Sequence, residues 1–436
     1  DTGEVTSSLF RERIVITGMG AVTPLGIGVS SFWKNLLAGQ SGISSIRRFD
    51  TSHLPVKIAA EVKDFYPTDF LPKKLVKQTD LFMQFALIAA QEALADSQPK
   101  ADPGRIGIVV GTALAGITTV TSTQDAVTRR GKYRVSPYFV PKVLGNIAAA
   151  QIGIHHGFKG PSYTVNTACS SGSDAIGMAA TLLKTGQADV VLAVGAEAML
   201  SGLMDAALAS ARALSTRNEN PDQASRPFDL KRDGFVMGEG AGAVVLETLR
   251  VAKQRNADIK AELLGYANCT DAYHVTSPDP GGSGEIFCMQ KALEEARLNP
   301  SDVDYINAHG TSTKIGDRIE TESIKAVFGQ HAKKMPVSSI KGAAGHLIGA
   351  GGVIEFIACI QSIQAGVVPP TVNYEHPDPE CDLDYVPNQS RKVDVKVAMS
   401  NSFGFGGQNS SLVVGEYGDE REFGSYENNG RNMVHV

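Results

Sequence analysis

Long apolar runs are missing from this 436-residue sequence. No stretch of 18 or more apolar residues occurs, so nothing is expected to span a membrane. Excess basic charge is missing too. Lys and Arg total 41 against 46 Asp and Glu, a net charge of −5, which argues against a general nucleic-acid binder. Cysteine is scarce. Cys169, Cys269, Cys288, Cys359 and Cys381 have no metal-ligand spacing, which indicates free thiols in a reducing compartment and no zinc site. The pair His155-His156 has no such spacing either. There is no P-loop. ITGMGAVTPLG (16–26) starts like a dinucleotide fingerprint, but Thr23 stands where the third glycine belongs and no acidic residue lies near position 38. No short-period repeat is present.

What is present is glycine, 45 residues of it, and 42% hydrophobic residues, the composition of a compact α/β protein with many tight turns. RIVITG (12–17), IGIVVG (106–111), SYTVNT (162–167), DVVLAVG (189–195), GAVVLE (242–247), VDYINAHG (303–310), PVSSIK (336–341) and KVAMSNS (396–402) read as buried strands. Strands apolar on both faces imply a sheet covered on each side by helices. The charged stretch 250–262 reads as a connection between two halves. The polar end, 416–436, reads as a loosely docked or disordered tail.

Four glycine-rich turns carry chemistry-bearing residues. VNTACSSGSDAIG (165–177) places Cys169 where a strand gives way to a helix with an apolar stripe at Ala175, Ile176, Ala179, Leu182 and Leu183. A helix N-terminus favours an anion, so the thiol pKa is expected to fall and its nucleophilicity to rise. NAHGTST (307–313) puts His309 at a strand end. SSIKGAAGHLIGAGG (338–352) carries Lys341 and His346, and NSFGFGGQN (401–409) sets two Phe between glycines. Turns at strand ends are where an open α/β sheet builds its site.

VNTACSSG, RDGFVMGEGAG (232–242), NAHGTSTKIGD (307–317), SSIKGAAGHLIGAGG, NSFGFGG and ITGMGAVTPLG occur in the order of one family and span roughly residues 12 to 415. On these motifs the sequence resembles the β-ketoacyl-[acyl carrier protein] synthases of the thiolase-fold superfamily, in the elongating I/II branch. The Cys-His-His set resembles elongating enzymes. Initiating enzymes use Cys-His-Asn, and thiolases use a second cysteine absent from the NSFGFGG region here.

The resemblance implies a five-layered αβαβα sandwich of two pseudo-equivalent halves. Residues 12–255 would bear Cys169 and 256–415 both histidines, flanked by an extension, 1–11, and the tail, 416–436. It implies decarboxylative Claisen condensation, with Cys169 as nucleophile and His309 and His346 as N–H donors to the carbanion oxygen. Lys341 would support the histidines with Glu320 as its acidic partner, and Asp317 and Glu355 would lie behind them. The backbone N–H groups of Cys169 and Phe405 would form the oxyanion hole, with Phe405 also a gate. Thr311 and Thr313 would hold a phosphopantetheine arm. Leu114, Phe139 and Leu208 would line the acyl pocket with Phe405, Phe139 reaching across a homodimer interface.

No cofactor is implied. Asn307, Glu355, Ser400 and Asn401 match a monovalent-cation cluster of some relatives. The implied partner is acyl carrier protein. Being acidic, it would dock on basic residues: Lys73, Lys74 and Lys77 first, then Arg129, Arg130, Lys132 and Arg212, with Arg47 and Arg48. The implied compartment is the cytoplasm, or a mitochondrial or plastid matrix after loss of a targeting peptide. Two departures from the family pattern stand out: Gln408 in place of Thr, and Ile340 and Gly342 around Lys341 in place of Thr and Ser.

Overall fold

Alternation within each strand organises the molecule. In the computed structural model, which describes residues 12–131 and 133–418, the first half contributes β1 (Ile14–Thr23), β2 (Ile106–Gly111), β3 (Ser162–Val165), β4 (Val190–Glu197) and β5 (Gly240–Thr248). The second contributes β6 (Ala261–Thr270), β7 (Tyr305–Asn307), β8 (Val337–Ser338), β9 (Val397–Gly404) and β10 (Gln408–Gly415). The first half runs β1-β5-β4-β2-β3 across the sheet and the second β6-β10-β9-β7-β8, the same order of first, fifth, fourth, second and third strand. Pairing senses match as well: antiparallel twice, then parallel twice. The halves join where Ile14–Ile16 of β1 pair antiparallel with Ala261–Leu263 of β6.

The main helices recur at equivalent places. In chain order they are α1 (Lys73–Gln78), α2 (Leu81–Ser97), α3 (Ile117–Arg130), α4 (Ser171–Lys184), α5 (Gly202–Ser210), α6 (Ser283–Ala296), α7 (Lys314–Phe328) and α8 (Gly351–Ala365). Helices α2 and α6 follow the first strand of each half after a connection, and α4 and α8 follow the third.

Val109, Val191, Ala193, Val244 and Leu246 point into a central cluster with α4 and α8, while Ile108, Val110, Leu192 and Val245 point out to α2. In the second half Ala398, Leu412 and Val414 face the centre, and Val397, Met399 and Val413 face α6 and α7. Three apolar layers separated by two strand layers give the five-layered sandwich, and they explain why these strands read as unbroken apolar runs. The whole stripe expected on α4 is buried in the central layer.

Small residues let the two central helices meet. A Cβ on Gly352 would sit 2.3 Å from Ser173 Oγ and 2.5 Å from Ser173 N. Residues 348–365 have the length and hydropathy of a membrane span, yet most of that stretch is buried between the two strand layers. Part of the 250–262 connection is structured, with Leu249–Gln254 helical and β6 starting at Ala261. The 1–11 extension, Lys132 and the tail beyond residue 418 lie outside the described residues.

Candidate active site

The C-terminal ends of β3, β4, β7, β8 and β9 converge, and each delivers a functional group. After β3 a single 3₁₀ turn, Ala168–Ser170, leads into α4. Ala168 takes a left-handed backbone, φ 51°, a strained conformation for a residue with a Cβ. It turns the chain sharply so that Cys169 sits ahead of the helix. The turn is pinned from both halves. Asp174 accepts hydrogen bonds from Thr167 Oγ1, Ser170 Oγ (3.2 Å), Asn268 Nδ2 (2.9 Å) and Tyr266 OH (2.9 Å), so β6 of the second half is tied to the nucleophile turn of the first. Sequence reading passed over Asp174. Its signal was an acid at the start of an otherwise apolar helical stripe.

The thiol departs from expectation. Burial pushes Cys169 up to about 11, outweighing the Phe405 backbone N–H and the Lys341 charge that pull it down. Desolvation of the thiolate opposes the favourable helix terminus. The same surroundings make an apolar floor: Cys169 packs with Leu114, Ile117, Met204 and Leu208 around Phe235, Met237 and Ile348. Leu114 and Leu208 therefore pack in one cluster with Cys169, whereas Phe139 is half-buried at the start of a short helix and is not in that cluster.

His309 and His346 come together from β7 and from the loop after β8. Their rings stand 5.4 Å apart and nearly perpendicular, with Phe235 against His346 and Phe403 against His309. Burial first, then the Lys341 charge, holds both well below the usual imidazole range, so both are neutral at pH 7. His346 Nδ1 accepts the Ile348 backbone N–H at 3.3 Å, which leaves its proton on Nε2. Nδ1 of His309 is buried without a partner.

One sequence expectation is corrected. The carboxylate paired with Lys341 is Glu355, from α8. Glu320 instead accepts the backbone N–H groups of His309 (2.8 Å) and Gly310 (2.7 Å), and burial raises it to about 7. It sets the His309 backbone rather than neutralising the lysine. Asp317 accepts the N–H groups of Phe228 (2.7 Å) and Ser312 (3.1 Å), which brings RPFDL (226–230) against the HGTST turn. The hydroxyls of Thr311 and Thr313 are 3.1 Å apart and half-buried.

The GFGG turn lies directly over Cys169. A Cβ on Gly404 would meet Cys169 N at 3.0 Å. Phe405 is 41% exposed at the tip, and Gln408 closes the hairpin opposite Gly404. Gly342 has a packing reason, since a Cβ there would meet Val372 Cγ2 at 2.8 Å. Ile340 is buried in the central layer. In the cation cluster, Asn307 Oδ1 is a buried acceptor without a partner among the described residues and so fits such an ion, whereas the Ser400 side chain faces the Cys359 thiol. Glu355 is engaged by Lys341, and Asn401 Oδ1 accepts Ser411 Oγ at 2.8 Å.

Two family models match the chain in succession: "Beta-ketoacyl synthase, N-terminal domain" over residues 11–252 and "Beta-ketoacyl synthase, C-terminal domain" over 260–375. The chain belongs to the beta-ketoacyl synthase family. Among its curated relatives, the 3-oxoacyl-[acyl-carrier-protein] synthase 2 of Coxiella burnetii is 45% identical over 407 residues, 93% of this chain and 98% of the relative. The synthase of the same name from Synechocystis is 45% identical over 414 residues, 94% of this chain and 100% of the relative.

Beta-ketoacyl synthases also share the fold. A β-ketoacyl synthase from Burkholderia phymatum superposes with a TM-score of 0.86 at 34% identity, covering 93% of this chain and all of that one. A type II polyketide ketosynthase, solved in complex with its acyl-carrier protein and bound to a hexaketide, superposes with a TM-score of 0.87 at 35% identity. It covers 94% of this chain and all of that one.

Proposed function

We propose that this synthase is a 3-oxoacyl-[acyl carrier protein] synthase that extends fatty acyl chains by two carbons. The observation that carries the reading is the convergence of Cys169 with two buried neutral imidazoles under one apolar cluster. In the first half-reaction Cys169 Sγ attacks the acyl thioester, and its proton leaves with the carrier thiol. The N–H groups of Cys169 and Phe405 stabilise the tetrahedral oxyanion. In the second, the malonyl C–C bond breaks, CO₂ departs, and the electron pair forms an enolate whose oxygen accepts the N–H of His346 and of His309. The α-carbon then attacks the acyl carbonyl and Cys169 leaves as thiolate.

Neutral imidazoles suit this role because each keeps one N–H donor without placing a full charge in a desolvated site. Burial, and after it the charge of Lys341 paired with Glu355, keeps them neutral. The acyl chain lies along Leu114 and Leu208 beneath the Phe405 gate, and the phosphopantetheine arm passes Thr311 and Thr313. In this reading the reaction uses no resident cofactor. Of the four cluster residues, Asn307 would offer the available acceptor to a monovalent cation, since Glu355, Ser400 and Asn401 are engaged by Lys341, Cys359 and Ser411.

Acyl carrier protein is the partner in this proposal, docking on exposed Lys73, Lys74 and Lys77 of α1, with Arg130 and Arg212 as further exposed basic residues. Arg129 and Arg48 contribute less, being paired with Asp125 and Glu239. A second copy of the chain completes the pocket with Phe139. The supporting feature is the apolar surface around it, with Tyr133, Val140 and Leu144 exposed beside Tyr163 of the sheet-edge strand β3. The 45% identity to 3-oxoacyl-[acyl-carrier-protein] synthases over nearly the whole chain, against 35% to the polyketide ketosynthase, favours the fatty-acid pathway over a polyketide one.

The deciding experiment reads the intact mass of the protein with acyl-carrier-protein thioesters, then adds malonyl carrier protein. Adducts that need Cys169 and disappear as 3-oxoacyl product forms support the reading. Uptake of coenzyme A thioesters alone, with cleavage of 3-oxoacyl forms, overturns it.

A further inference from the structure

Glu197 closes β4 directly behind the site and is fully buried. Its carboxylate takes no part in the chemistry described above, yet its hydrogen-bond acceptors are occupied from two separate loops. Oε2 accepts the backbone N–H of Ala113 at 2.9 Å and of Gly349 at 3.1 Å. Oε1 accepts the N–H of Leu114 at 3.1 Å and Thr112 Oγ1 at 3.3 Å. Position 349 must be glycine for this, because a Cβ there would stand 2.6 Å from Oε2.

What those donors belong to gives the carboxylate its meaning. Leu114 is a wall of the apolar cluster around Cys169. The Ala113 carbonyl accepts Asn166 Nδ2 at 2.9 Å, and Asn166 Oδ1 accepts the Ala168 N–H at 3.3 Å, so the nucleophile turn hangs from the same loop. Gly349 adjoins Ile348, whose N–H fixes the tautomer of His346. A buried acceptor of several donors from two loops is a directional anchor.

We propose that Glu197 is a positioning residue that sets the acyl-pocket wall at Leu114 and the Nε2–H of His346 as one unit, so that chain-length preference and malonyl decarboxylation are coupled through it. This rests on the condensation reading above.

The test compares wild type, Glu197→Gln and Thr112→Val. Gln keeps the size of Glu but turns one acceptor into an amide NH₂ donor facing N–H groups. Val removes the longest of the four bonds, together with the bond that Thr112 Oγ1 accepts from the Ala115 N–H at 3.3 Å. Three quantities are read: acyl loading of Cys169 for short- and long-chain carrier thioesters, kcat and KM for malonyl decarboxylation, and thermal unfolding. The expected result for Glu197→Gln is a fall of about tenfold or more in decarboxylation kcat with KM little changed. The ratio of long- to short-chain loading changes in the same variant. Thr112→Val moves both in the same direction by about two- to threefold.

A folded Glu197→Gln with wild-type kcat and chain-length ratio overturns the proposal, as does a loss uniform across both half-reactions and all chain lengths. Should Glu197→Gln fail to fold, unchanged values in Thr112→Val overturn it. If wild type neither loads on Cys169 nor decarboxylates malonyl thioester, the condensation reading falls and this proposal with it.

Discussion

The Lys341 ammonium rests on the Glu355 carboxylate in the interior of the second half, beneath both histidines. The pair sets the charge felt by the imidazoles, and neither member reaches solvent. Two consequences separate cleanly, one for stability and one for chemistry.

Removing one member leaves the other as an uncompensated buried charge. Lys341→Met or Glu355→Leu alone is expected to lower stability by about 3–5 kcal/mol, while the double variant recovers much of that loss. Urea unfolding of the four proteins in a double-mutant cycle measures it. Additive losses would show that the two side chains are not coupled.

Acid sensitivity follows from opposed titrations. His309 and His346 are held well below the usual range, so the unfolded chain binds protons there first and stability is lost as pH falls below about 6.5. Glu197 and Glu320 are raised to about 7, so the folded chain holds protons that the unfolded chain gives up, and stability is lost as pH rises toward 7. Between about pH 4.5 and 6.5 the two trends oppose one another. His309→Ala deletes one acid-labile contribution, so its deficit relative to wild type shrinks as pH drops from 7.5 to 5.5. The slope it removes is up to about 1.4 kcal/mol per pH unit. Urea midpoints at the two pH values test this, and a deficit that grows on acidification would contradict it.

The thiol offers a third check. With Cys169 pushed up to about 11, its alkylation by iodoacetamide is expected to keep accelerating through pH 9 instead of levelling near 8. Lys341→Met removes a charge that favours the thiolate and slows alkylation further. Mass spectrometry of Cys169 against pH reads both. A plateau below pH 8 would mean that the helix terminus outweighs burial after all.

That contrast shows where sequence reading stops. A helix start after Cys169 is visible in the sequence, but how deeply the fold buries the thiol is not. Strands whose two faces both meet apolar layers were legible, because Ile108, Val109 and Val110 serve α2, the centre and α2 in turn. Strands β6 and β10 were not, since β10 carries Asn409, Ser410 and Ser411 into the interior, where partners such as Asn401 replace apolar packing. Cys169, His309, His346 and Lys341 were legible from their motifs. The lysine's true partner was not: Glu355 sits one turn into α8 and Glu320 on α7, and only the packing of those helices decides between them. Glu197 carried no motif at all, only an acid closing an apolar run.

The last prediction concerns the tie between halves. Asp174 holds the Cys169 turn through Thr167 and Ser170, and reaches across to Tyr266 and Asn268 of β6. Asp174→Asn keeps the shape but converts one acceptor into a donor facing Asn268 Nδ2 or the Tyr266 hydroxyl, so at least one part-buried donor loses its acceptor. The expected cost is about 1–3 kcal/mol of stability. Because the turn is also loosened, acyl loading of Cys169 falls more than malonyl decarboxylation, whose donors hang from β7 and the His346 loop. Asn268→Ala removes one of the cross-half bonds without touching Thr167 or Ser170, and is expected to lose stability while keeping the ratio of the two half-reactions. If Asp174→Asn and Asn268→Ala lose loading and decarboxylation in the same proportion, Asp174 is a fold anchor only and has no separate hold on the nucleophile.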